Sequence, residues 1–402
     1  MPNCQTGRMT MGRRQASVKM EARKFVIAFI IDGLGLGGAE RLMVPILKNL
    51  NRQVFEPRVC VLQIKDGNPM ADDLRAMGIP VDLIPVKYLR DATAVPRLAK
   101  YLRRVKANAV HTQLEFSDVL GGAAAKILGL PSVSTIHTMP SQDMDAKSRL
   151  HQMLELFSLR HFSDLVISVS EEARQFHLKI SNSPPQKIRT IHNGIDLSNF
   201  MILKRDAEFV AVRNEFSIPS NAKVLTTVAV LRELKGIQFM IRAMPAILAN
   251  HPNVYYLIVG DGSHREELDR EVERMGVKNR VIFSGKRSDI PRLLAATDIF
   301  VLPTLTEALP TVLAEAMASH LPIVACAVGG VPEMVEDGNN GRLVPPADPQ
   351  ALADACNQLL RDPQRCKIMG EAGWQVVEKK FNIKTQVERL EMLYLSLIRA
   401  YE

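Results

Sequence analysis

The sequence lacks an apolar run long enough to cross a lipid bilayer. The longest run near its start covers residues 25–31, whereas a membrane-spanning helix needs about twenty such residues. The basic stretch before this run imitates a signal peptide, but Asp32 and a glycine-rich loop stand where a small-residue cleavage site is expected. We therefore predict no transmembrane helix and no cleaved signal, and we interpret residues 1–23 as a disordered leader.

Cysteine is scarce and irregularly placed. The five cysteines are an odd number and show neither CxxC pairing nor the spacing of metal ligands. They are typical of scattered reduced thiols in a cytoplasmic protein, so no disulfide framework is expected. The sequence also lacks a 20–50-residue repeat and any low-complexity tract, which excludes solenoid and fibrous folds.

The length of 402 residues fits two domains of about 200 residues each, and the 47% apolar and 23% charged residues are typical of globular proteins. The net charge of +8 is unevenly distributed. Residues 1–200 carry 27 Lys and Arg against 18 Asp and Glu, whereas residues 201–402 carry 24 against 25. The positive excess is therefore a property of the N-terminal half.

Part of that excess lies on a predicted helix over residues 96–106. Its apolar stripe consists of Leu98, Tyr101, Leu102 and Val105, and it carries the cations Arg97, Lys100, Arg103, Arg104 and Lys106. Two interpretations stay open: peripheral contact with an anionic membrane, or an ordinary solvated helix. No nucleic-acid reading motif occurs, so a nucleic-acid partner is not expected.

Apolar runs typical of buried strands alternate with helical patterns throughout the chain. They cover residues 25–31, 58–62, 109–111, 132–137 and 165–169, then 224–230, 254–259, 281–284, 299–302 and 323–325. Such a pattern predicts α/β architecture with two Rossmann-like, doubly wound parallel sheets that face each other across a cleft.

The two series of strands divide the chain. The pattern lapses over residues 195–220, which places an N-terminal domain at 24–199 and a C-terminal domain at 200–380. Residues 337–348 read as a loop, and helices are predicted over 349–361 and 363–380. We expect a last amphipathic helix, within 381–402, to return to the N-terminal domain.

A glycine-rich loop with the sequence DGLGLGGAE follows the first predicted strand, from Asp32 to Glu40. Glycines at a strand-to-helix turn let backbone amides approach an anion at the positive end of the helix. The spacing differs from GxGxxG and the ribose-binding acid is missing, so a plain NAD site is not favoured. Glycines that only ease packing remain the alternative.

Two cations, Arg232 and Lys235, follow another predicted strand in the segment LRELKG. A guanidinium fork and an ammonium point charge together suit a diphosphate whose negative charge grows as it leaves. Considered alone, the segment is equally consistent with surface cations on a solvated turn.

Two glutamates, Glu307 and Glu315, have seven residues between them and flank a predicted helix N-terminus. Free amides at that terminus suit a phosphate, and the carboxylates suit sugar and ribose hydroxyls. The spacing alone is also consistent with two unrelated surface acids.

Taken in order, these segments resemble the retaining glycosyltransferases of the GT-B fold in family 4. The resemblance runs from Phe25 to Pro349, and its motifs occur in the family's order. They are GGAER (37–41), HT (111–112 and 137–138), SVSEEAR (168–174), HNGID (192–196), LRELKG (231–236), VGDG (259–262), the two spaced glutamates, GGVPE (329–333) and NGRLVPP (340–346). Their order makes coincidence untenable.

The resemblance implies roles for individual residues. Arg232 and Lys235 would neutralise the donor diphosphate, Glu307 would meet the transferred sugar's hydroxyls, and Glu315 would hold the ribose. The amides of Leu309, Thr311 and Val312 would face the phosphates, and Gly37 and Gly38 would close on the diphosphate from the other domain. His137 would lie near the reacting centre, its alternative being a structural histidine. Lys286, Arg287 and Asp289 would lie near the base.

Two positions depart from the family pattern. Many members have the arginine five residues before the lysine, where this chain has Val230, so the role of Arg232 rests on a variant form of the motif. The residue after the first glutamate is often glycine and is here Ala308, which keeps its amide.

The resemblance also implies a reaction: transfer of a sugar from a nucleotide diphosphate with retention, without a covalent nucleophile, cofactor or metal. No DxD-type acidic pair stands at the end of a predicted strand, consistent with cations in place of a metal. The expected acceptor is a glycan, a lipid-linked saccharide or a polysaccharide, and the expected location is cytoplasmic or on the inner membrane face. An epimerase or phosphorylase of the same fold, or a non-catalytic nucleotide-sugar-binding protein, remain alternatives.

Overall fold

The structure is a computed structural model that describes residues 24–35, 37–137, 146–201 and 205–402. The predicted leader over 1–23 and Thr138 of the second HT motif lie outside the described residues. Within them, no helix is both long and apolar enough to span a membrane.

The N-terminal half forms a sheet of seven parallel strands in the order β3-β2-β1-β4-β5-β6-β7. From β1 to β7 the strands are Phe25–Ile31, Phe55–Val61, Val81–Leu83, Ala109–Gln113, Ser132–Ile136, Leu165–Ser168 and Ile188–Thr190. The helices α1 to α6 are Gly38–Asn49, Pro69–Ala76, Ala94–Arg104, Gly122–Leu128, Ala146–His161 and Glu171–Ser181.

The C-terminal half forms a second sheet of six parallel strands in the order β10-β9-β8-β11-β12-β13. From β8 to β13 the strands are Lys223–Val228, Val254–Val259, Val281–Gly285, Ile299–Leu302, Ile323–Cys326 and Gly341–Val344. The helices α7 to α16 are Ser198–Met201, Arg205–Glu215, Ile237–Asn250, Arg265–Arg274, Ile290–Ala295, Thr311–Ala318, Val331–Met334, Pro349–Arg361, Pro363–Lys380 and Ile383–Tyr401.

Strand β1 shows why continuous apolar runs form these sheets. Ile27, Phe29 and Ile31 belong to one core cluster, and Ala28 and Ile30 to another on the opposite face. Successive strand residues point to opposite faces, so a strand covered by helices on both sides must be apolar throughout. The prediction of two doubly wound parallel sheets is confirmed.

Three short strands were missed by the sequence pattern, namely β3, β7 and β13. Each lies at the edge of its sheet, where the strand is less completely buried and a continuous apolar run is not required. The interpretation of residues 337–348 as a loop is therefore wrong in part, because β13 pairs with β12 there. The lapse over 195–220 contains α7 and the whole of α8.

The chain crosses between the halves twice, and the two crossings lie side by side. Ile195 donates its amide to the carbonyl of Phe381 (2.9 Å), and Ile383 donates to the carbonyl of Ile195 (3.0 Å). After the second crossing, α16 packs into the N-terminal core, where Leu390 and Tyr394 are buried. The last helix thus completes a core whose other buried members come from residues 27–191.

The basic helix α3 turns its apolar stripe inward. Leu98, Tyr101 and Leu102 are buried against Ala28 and Ile30 of β1. The stripe is therefore part of the domain core and is not available to a membrane, which leaves only the outward cations for such a contact.

Candidate functional site

In each sheet the strand order reverses direction at one place. This place lies between β1 and β4 in the first sheet and between β8 and β11 in the second. Loops that leave neighbouring strands in opposite directions open a crevice at their carboxyl ends, where ligands of such sheets bind. The glycine-rich loop follows β1, the LRELKG segment follows β8, and Glu307 follows β11. The candidate residues therefore gather at the two crevices.

The loops after β8 and β11 are tied together by hydrogen bonds. Leu305 donates its amide to the carbonyl of Leu234 (2.9 Å), and the Thr304 hydroxyl donates to the same carbonyl (3.2 Å). Gly236 makes this approach possible, because its φ is +65° and a Cβ there would lie 1.9 Å from the carbonyl oxygen of Pro303. Any side chain at this position would push the two loops apart.

This junction brings Lys235 and Glu307 together. The ammonium group of Lys235 donates a hydrogen bond to the Glu307 carboxylate, and the side chains are 27% and 14% exposed. Arg232 is exposed and, among the described residues, its side chain makes no hydrogen bond or ion pair. Val230, at the more usual arginine position, is also exposed. A free guanidinium and a paired ammonium thus flank one crevice.

Helix α12 begins beside this pair. Pro310 is its N-cap residue, and the amides of Thr311 and Val312 have no acceptor inside the helix. Glu315 lies one turn further on and is half-buried. Burial raises the pKa of its carboxyl to about 7, although the charge of Arg41 on α1 acts to lower it. Leu309 precedes the helix and is buried.

The glycine-rich loop is held by a glutamate from its own motif. The Gly37 amide donates to the carboxylate of Glu40 (2.7 Å), which also pairs with Lys65 (3.4 Å). That amide is therefore bonded within its own loop. Gly38, the first residue of α1, is exposed, and its amide has no acceptor within the helix.

His137 stands at the end of β5. Its Nε2 lies 3.2 Å from the Oε1 of Gln113. Because an amide oxygen only accepts, the imidazole donates this hydrogen bond. Burial lowers the pKa of His137 to about 4, so the ring is neutral at physiological pH. With its one N–H donated to Gln113, this neutral imidazole can accept a hydrogen bond from a sugar hydroxyl at Nδ1.

The first HT motif has a different environment. His111 is buried, with Nδ1 2.6 Å from the Tyr394 hydroxyl and Nε2 2.7 Å from the Thr135 hydroxyl. Burial lowers its pKa to about 3. This histidine is a structural link between the first sheet and α16.

Buried acids lie near the carboxyl end of β1. Asp32 accepts hydrogen bonds from the amides of Phe116 (3.1 Å) and Ser117 (2.8 Å), yet burial raises its pKa to about 6. Burial, together with the charges of Glu115 and Asp32, raises the pKa of Glu155 on α5 to about 7. The N-terminal crevice therefore holds carboxyls that are partly protonated near neutrality.

The residues expected near the base lie in the loop after β10, at the edge of the second sheet. Arg287 donates to both oxygens of Asp289 (2.8 and 2.7 Å) and pairs with Glu215 of α8 (2.6 Å). These two residues thus join helices, whereas Lys286 is exposed. Strand β10 is two strands away from β8, so the structure separates this loop from Lys235.

The sequence assigned no role to three contributors: Glu40, Gln113 and Glu333. Glu40 of the GGAER motif had a local signal, since a glutamate three residues after an N-cap commonly bonds back to the cap amide. Glu333 stands in the GGVPE motif, but neither its role nor that of Gln113 had a local signal, because their partners are distant in the chain. Glu333 accepts hydrogen bonds from the amides of Glu171 and Glu172, both at 3.0 Å.

Comparison with known families covers most of the chain. Residues 36–199 match the sequence model of the family described as Glycosyltransferase Family 4, and residues 210–376 match that described as Glycosyl transferases group 1. The two segments together include the residues of the two candidate crevices except the first four of the glycine-rich loop, residues 32–35.

Two relatives and one solved structure illustrate the similarity. The UDP-Gal:alpha-D-GlcNAc-diphosphoundecaprenol alpha-1,3-galactosyltransferase of Escherichia coli is 28% identical over 375 residues, 90% of this chain and 95% of that protein. An uncharacterized glycosyltransferase of Methanocaldococcus jannaschii is 30% identical over 264 residues, 64% of this chain and 67% of its own. The crystal structure of Anabaena HepE in complex with UDP-glucose has a TM-score of 0.82 at 25% identity, covering 92% of this chain and all of that one.

Proposed function

The chain belongs to glycosyltransferase family 4, and we propose that it moves a sugar from a UDP-sugar to a lipid-linked glycan with retention of the anomeric configuration. It is a glycosyltransferase that uses a nucleotide sugar as its donor. The donor base, the acceptor and the stereochemistry are the proposed parts.

One observation carries the proposal: Lys235 and Glu307 meet at the N-terminus of α12, at the crevice of the second sheet. A diphosphate there would meet the ammonium group, the Arg232 guanidinium and the first amides of the helix. The Glu307 carboxylate would then accept hydrogen bonds from the sugar. Charge on the leaving diphosphate would be stabilised by groups already in place.

The proposed chemistry needs no covalent nucleophile. The bond between the anomeric carbon and the diphosphate oxygen breaks, and the acceptor hydroxyl oxygen bonds to the same carbon from the same face. The hydroxyl proton passes to the departing diphosphate. Lys235 and Arg232 stabilise the charge that develops on this group, and His137 and Glu307 orient the sugar. A metal ion has no assigned step.

The donor and acceptor are inferred from similar proteins. The solved complex of HepE contains UDP-glucose, and the name of the E. coli relative specifies a UDP-sugar donor and a diphosphoundecaprenol-linked acceptor. A chain that covers 95% of that relative has room for both kinds of site. We therefore propose UDP for the nucleotide and a polyprenyl diphosphate-linked saccharide for the acceptor.

Membrane contact is proposed through charge alone. Lys100, Arg103 and Lys106 of the α3 region are exposed, and the apolar stripe beneath them is buried. Each such cation near an anionic surface contributes about 1 kcal/mol. Flotation with phosphatidylglycerol vesicles should recover the protein, and Lys100→Glu with Arg103→Glu should reduce recovery, whereas Lys278→Glu on the other sheet should not. Equal recovery from neutral vesicles would contradict this contact.

The transfer itself is tested by incubating the purified protein with a panel of labelled UDP-sugars, with and without a polyprenyl diphosphate-linked acceptor. Acceptor-dependent product with the donor's anomeric configuration, measured by NMR and unchanged by EDTA, is the expected result. Sugar isomerisation without acceptor would indicate an epimerase. Sugar phosphate formed only with added phosphate would indicate a phosphorylase, and binding without turnover would indicate a non-catalytic protein.

A further inference from the structure

Three motifs that carry no role in the proposed reaction meet at one side chain. They are SVSEEAR after β6, HNGID after β7 and GGVPE after β12, and the side chain is Glu333 at the end of the last. The first two belong to the N-terminal sheet and the third to the C-terminal sheet. Their meeting point therefore lies between the two halves of the molecule.

Each oxygen of the Glu333 carboxylate has partners in the other half. Oε1 accepts from the Glu172 amide (3.0 Å), and Oε2 accepts from the Glu171 amide (3.0 Å) and lies 2.9 Å from His192 Nε2. Both side chains of the His192–Glu333 pair are 21% exposed. The pair between His192 and Glu333 is thus partly shielded from water, which strengthens it.

Glu333 accepts hydrogen bonds from the first two backbone amides of α6. Ser170 caps the third, since its hydroxyl accepts from the Ala173 amide (3.1 Å). A carboxylate at this end is also favoured by the helix dipole. Burial acts to raise the pKa of Glu333, but the hydrogen bonds from His192, Glu171 and Glu172 outweigh it, so the pKa lies below its usual value. The group is therefore an anion at neutral pH.

The same segment supports the donor loop. A Cβ on Gly329, whose φ is +50°, would lie 1.7 Å from the carbonyl oxygen of Glu307. A Cβ on Gly330 would lie 2.2 Å from the carbonyl oxygen of Ala308 and 2.9 Å from the Ser170 Cβ. The backbone just before Glu333 thus packs closely against both the loop that carries Glu307 and the start of α6.

We infer that Glu333 is a positioning residue that fixes the acceptor-side half of the molecule relative to the donor loop. It does so by holding the α6 N-terminus and His192 while its own backbone lies against Glu307 and Ala308. His192 adds a second tie, because its ring lies 5.2 Å from that of Phe381 in the returning crossing. The inference rests on the proposed function in that the relevant rate is the rate of sugar transfer.

The consequence for transfer is geometric. Donor ligands lie on the C-terminal sheet and the acceptor crevice on the N-terminal sheet, so loss of this contact changes their relative position without removing a donor ligand. Misplacement of reacting groups by about 1 Å costs on the order of 100-fold in rate. The effect should therefore fall on kcat and leave donor binding nearly unchanged.

The test compares Glu333→Ala and Glu333→Gln with Glu336→Ala, a control in the same segment whose carboxylate bonds only Asn339 among the described residues. Hydrogen–deuterium exchange at the amides of Glu171 and Glu172 measures the contact directly, without any substrate. In Glu333→Ala these amides should exchange at least about tenfold faster. Glu333→Gln keeps an oxygen at the same reach and should be intermediate, and Glu336→Ala should match the wild type.

Transfer kinetics supply the second measurement. Glu333→Ala should lower kcat at least about tenfold and change the UDP-sugar Kd less than about threefold, with Glu336→Ala unchanged in both. Unchanged exchange at Glu171 and Glu172, or unchanged kcat despite faster exchange, would overturn the inference. If Glu333→Ala does not fold, Glu333→Gln decides: exchange faster than in the wild type together with a lower kcat supports the inference, and no change in either overturns it. A wild-type protein that transfers no sugar would instead refute the proposed function, and the exchange measurement would still decide the contact.

Discussion

The ammonium group of Lys235 donates a hydrogen bond to the Glu307 carboxylate, 72 residues further along the chain. The two residues occupy different loops, which meet because Gly236 lets the first pass close to the end of β11. Each charge holds the other in the crevice while no ligand is bound. We infer that a donor phosphate takes over the ammonium group and leaves the carboxylate to the sugar.

Replacing either member of this pair by alanine should nearly abolish transfer. Lys235→Ala and Glu307→Ala are each expected to lower kcat by roughly 10²- to 10⁴-fold, because each removes a group that stabilises the transition state. Initial rates of sugar transfer measure the loss, and thermal unfolding checks that the fold is kept. Lys278→Ala is the matched control, since that lysine pairs with Glu273 on an exposed surface (3.2 Å). Turnover close to wild type in either Lys235→Ala or Glu307→Ala would contradict the proposed role of this pair in transfer.

Glu315 should make the unliganded protein less stable at alkaline pH. Burial raises its pKa from 4.5 to about 7, so it favours folding at acid pH, and this contribution is lost as the pH rises from about 4.5 through about 7. Glu315→Gln should therefore increase stability at pH 8 by about 1 kcal/mol and leave it unchanged at pH 4. Urea unfolding at both pH values measures this, with the exposed Glu378→Gln as control. If Glu315→Gln were no more stable than the wild type at pH 8, the raised pKa of Glu315 would be contradicted.

Gly236 and Gly276 offer a paired test of close approach. Both have left-handed backbone, with φ of +65° and +67°, but a Cβ at Gly276 would meet nothing within 4 Å. Gly276→Ala should cost about 1 kcal/mol for its conformation alone. Gly236→Ala should cost at least about 2 kcal/mol more, because the methyl group must displace the Pro303 carbonyl. Denaturant unfolding compares them, and turnover should fall only in Gly236→Ala. Equal effects would show that the two loops are not rigidly joined.

Tyr394 should anchor the last helix in the N-terminal core. Its hydroxyl is 2.6 Å from His111 Nδ1, and Tyr394→Phe would leave that buried nitrogen without a partner. The expected loss of unfolding free energy is about 1 to 3 kcal/mol. Tyr401→Phe is the control, because the Tyr401 hydroxyl bonds Asp164 (2.7 Å) on the surface and should contribute less than about 0.5 kcal/mol. Similar losses of unfolding free energy in Tyr394→Phe and Tyr401→Phe would contradict this role of Tyr394.

Much of the fold followed from local patterns. Apolar runs predicted all the central strands, because a strand buried on both faces must be apolar at every position. The edge strands β3, β7 and β13 were not predicted, since an edge strand is less completely buried and need not be apolar at every position. The base-side residues show where local patterns fail. Arg287 and Asp289 share a loop with Lys286, but Arg287 pairs with Glu215 of α8, and Asp289 accepts hydrogen bonds from Arg287 and Arg292.

The sequence by itself determined two parallel sheets and the loops in which the site residues lie, since hydrophobic periodicity and turn residues act over a few positions. Tertiary structure decided which loops touch. Sheet order and glycines at close approaches brought Glu333 to Glu171, 162 residues away, and Tyr394 to His111, 283 residues away. No local pattern encodes such contacts, because they exist only once the strands have taken their order in the sheets.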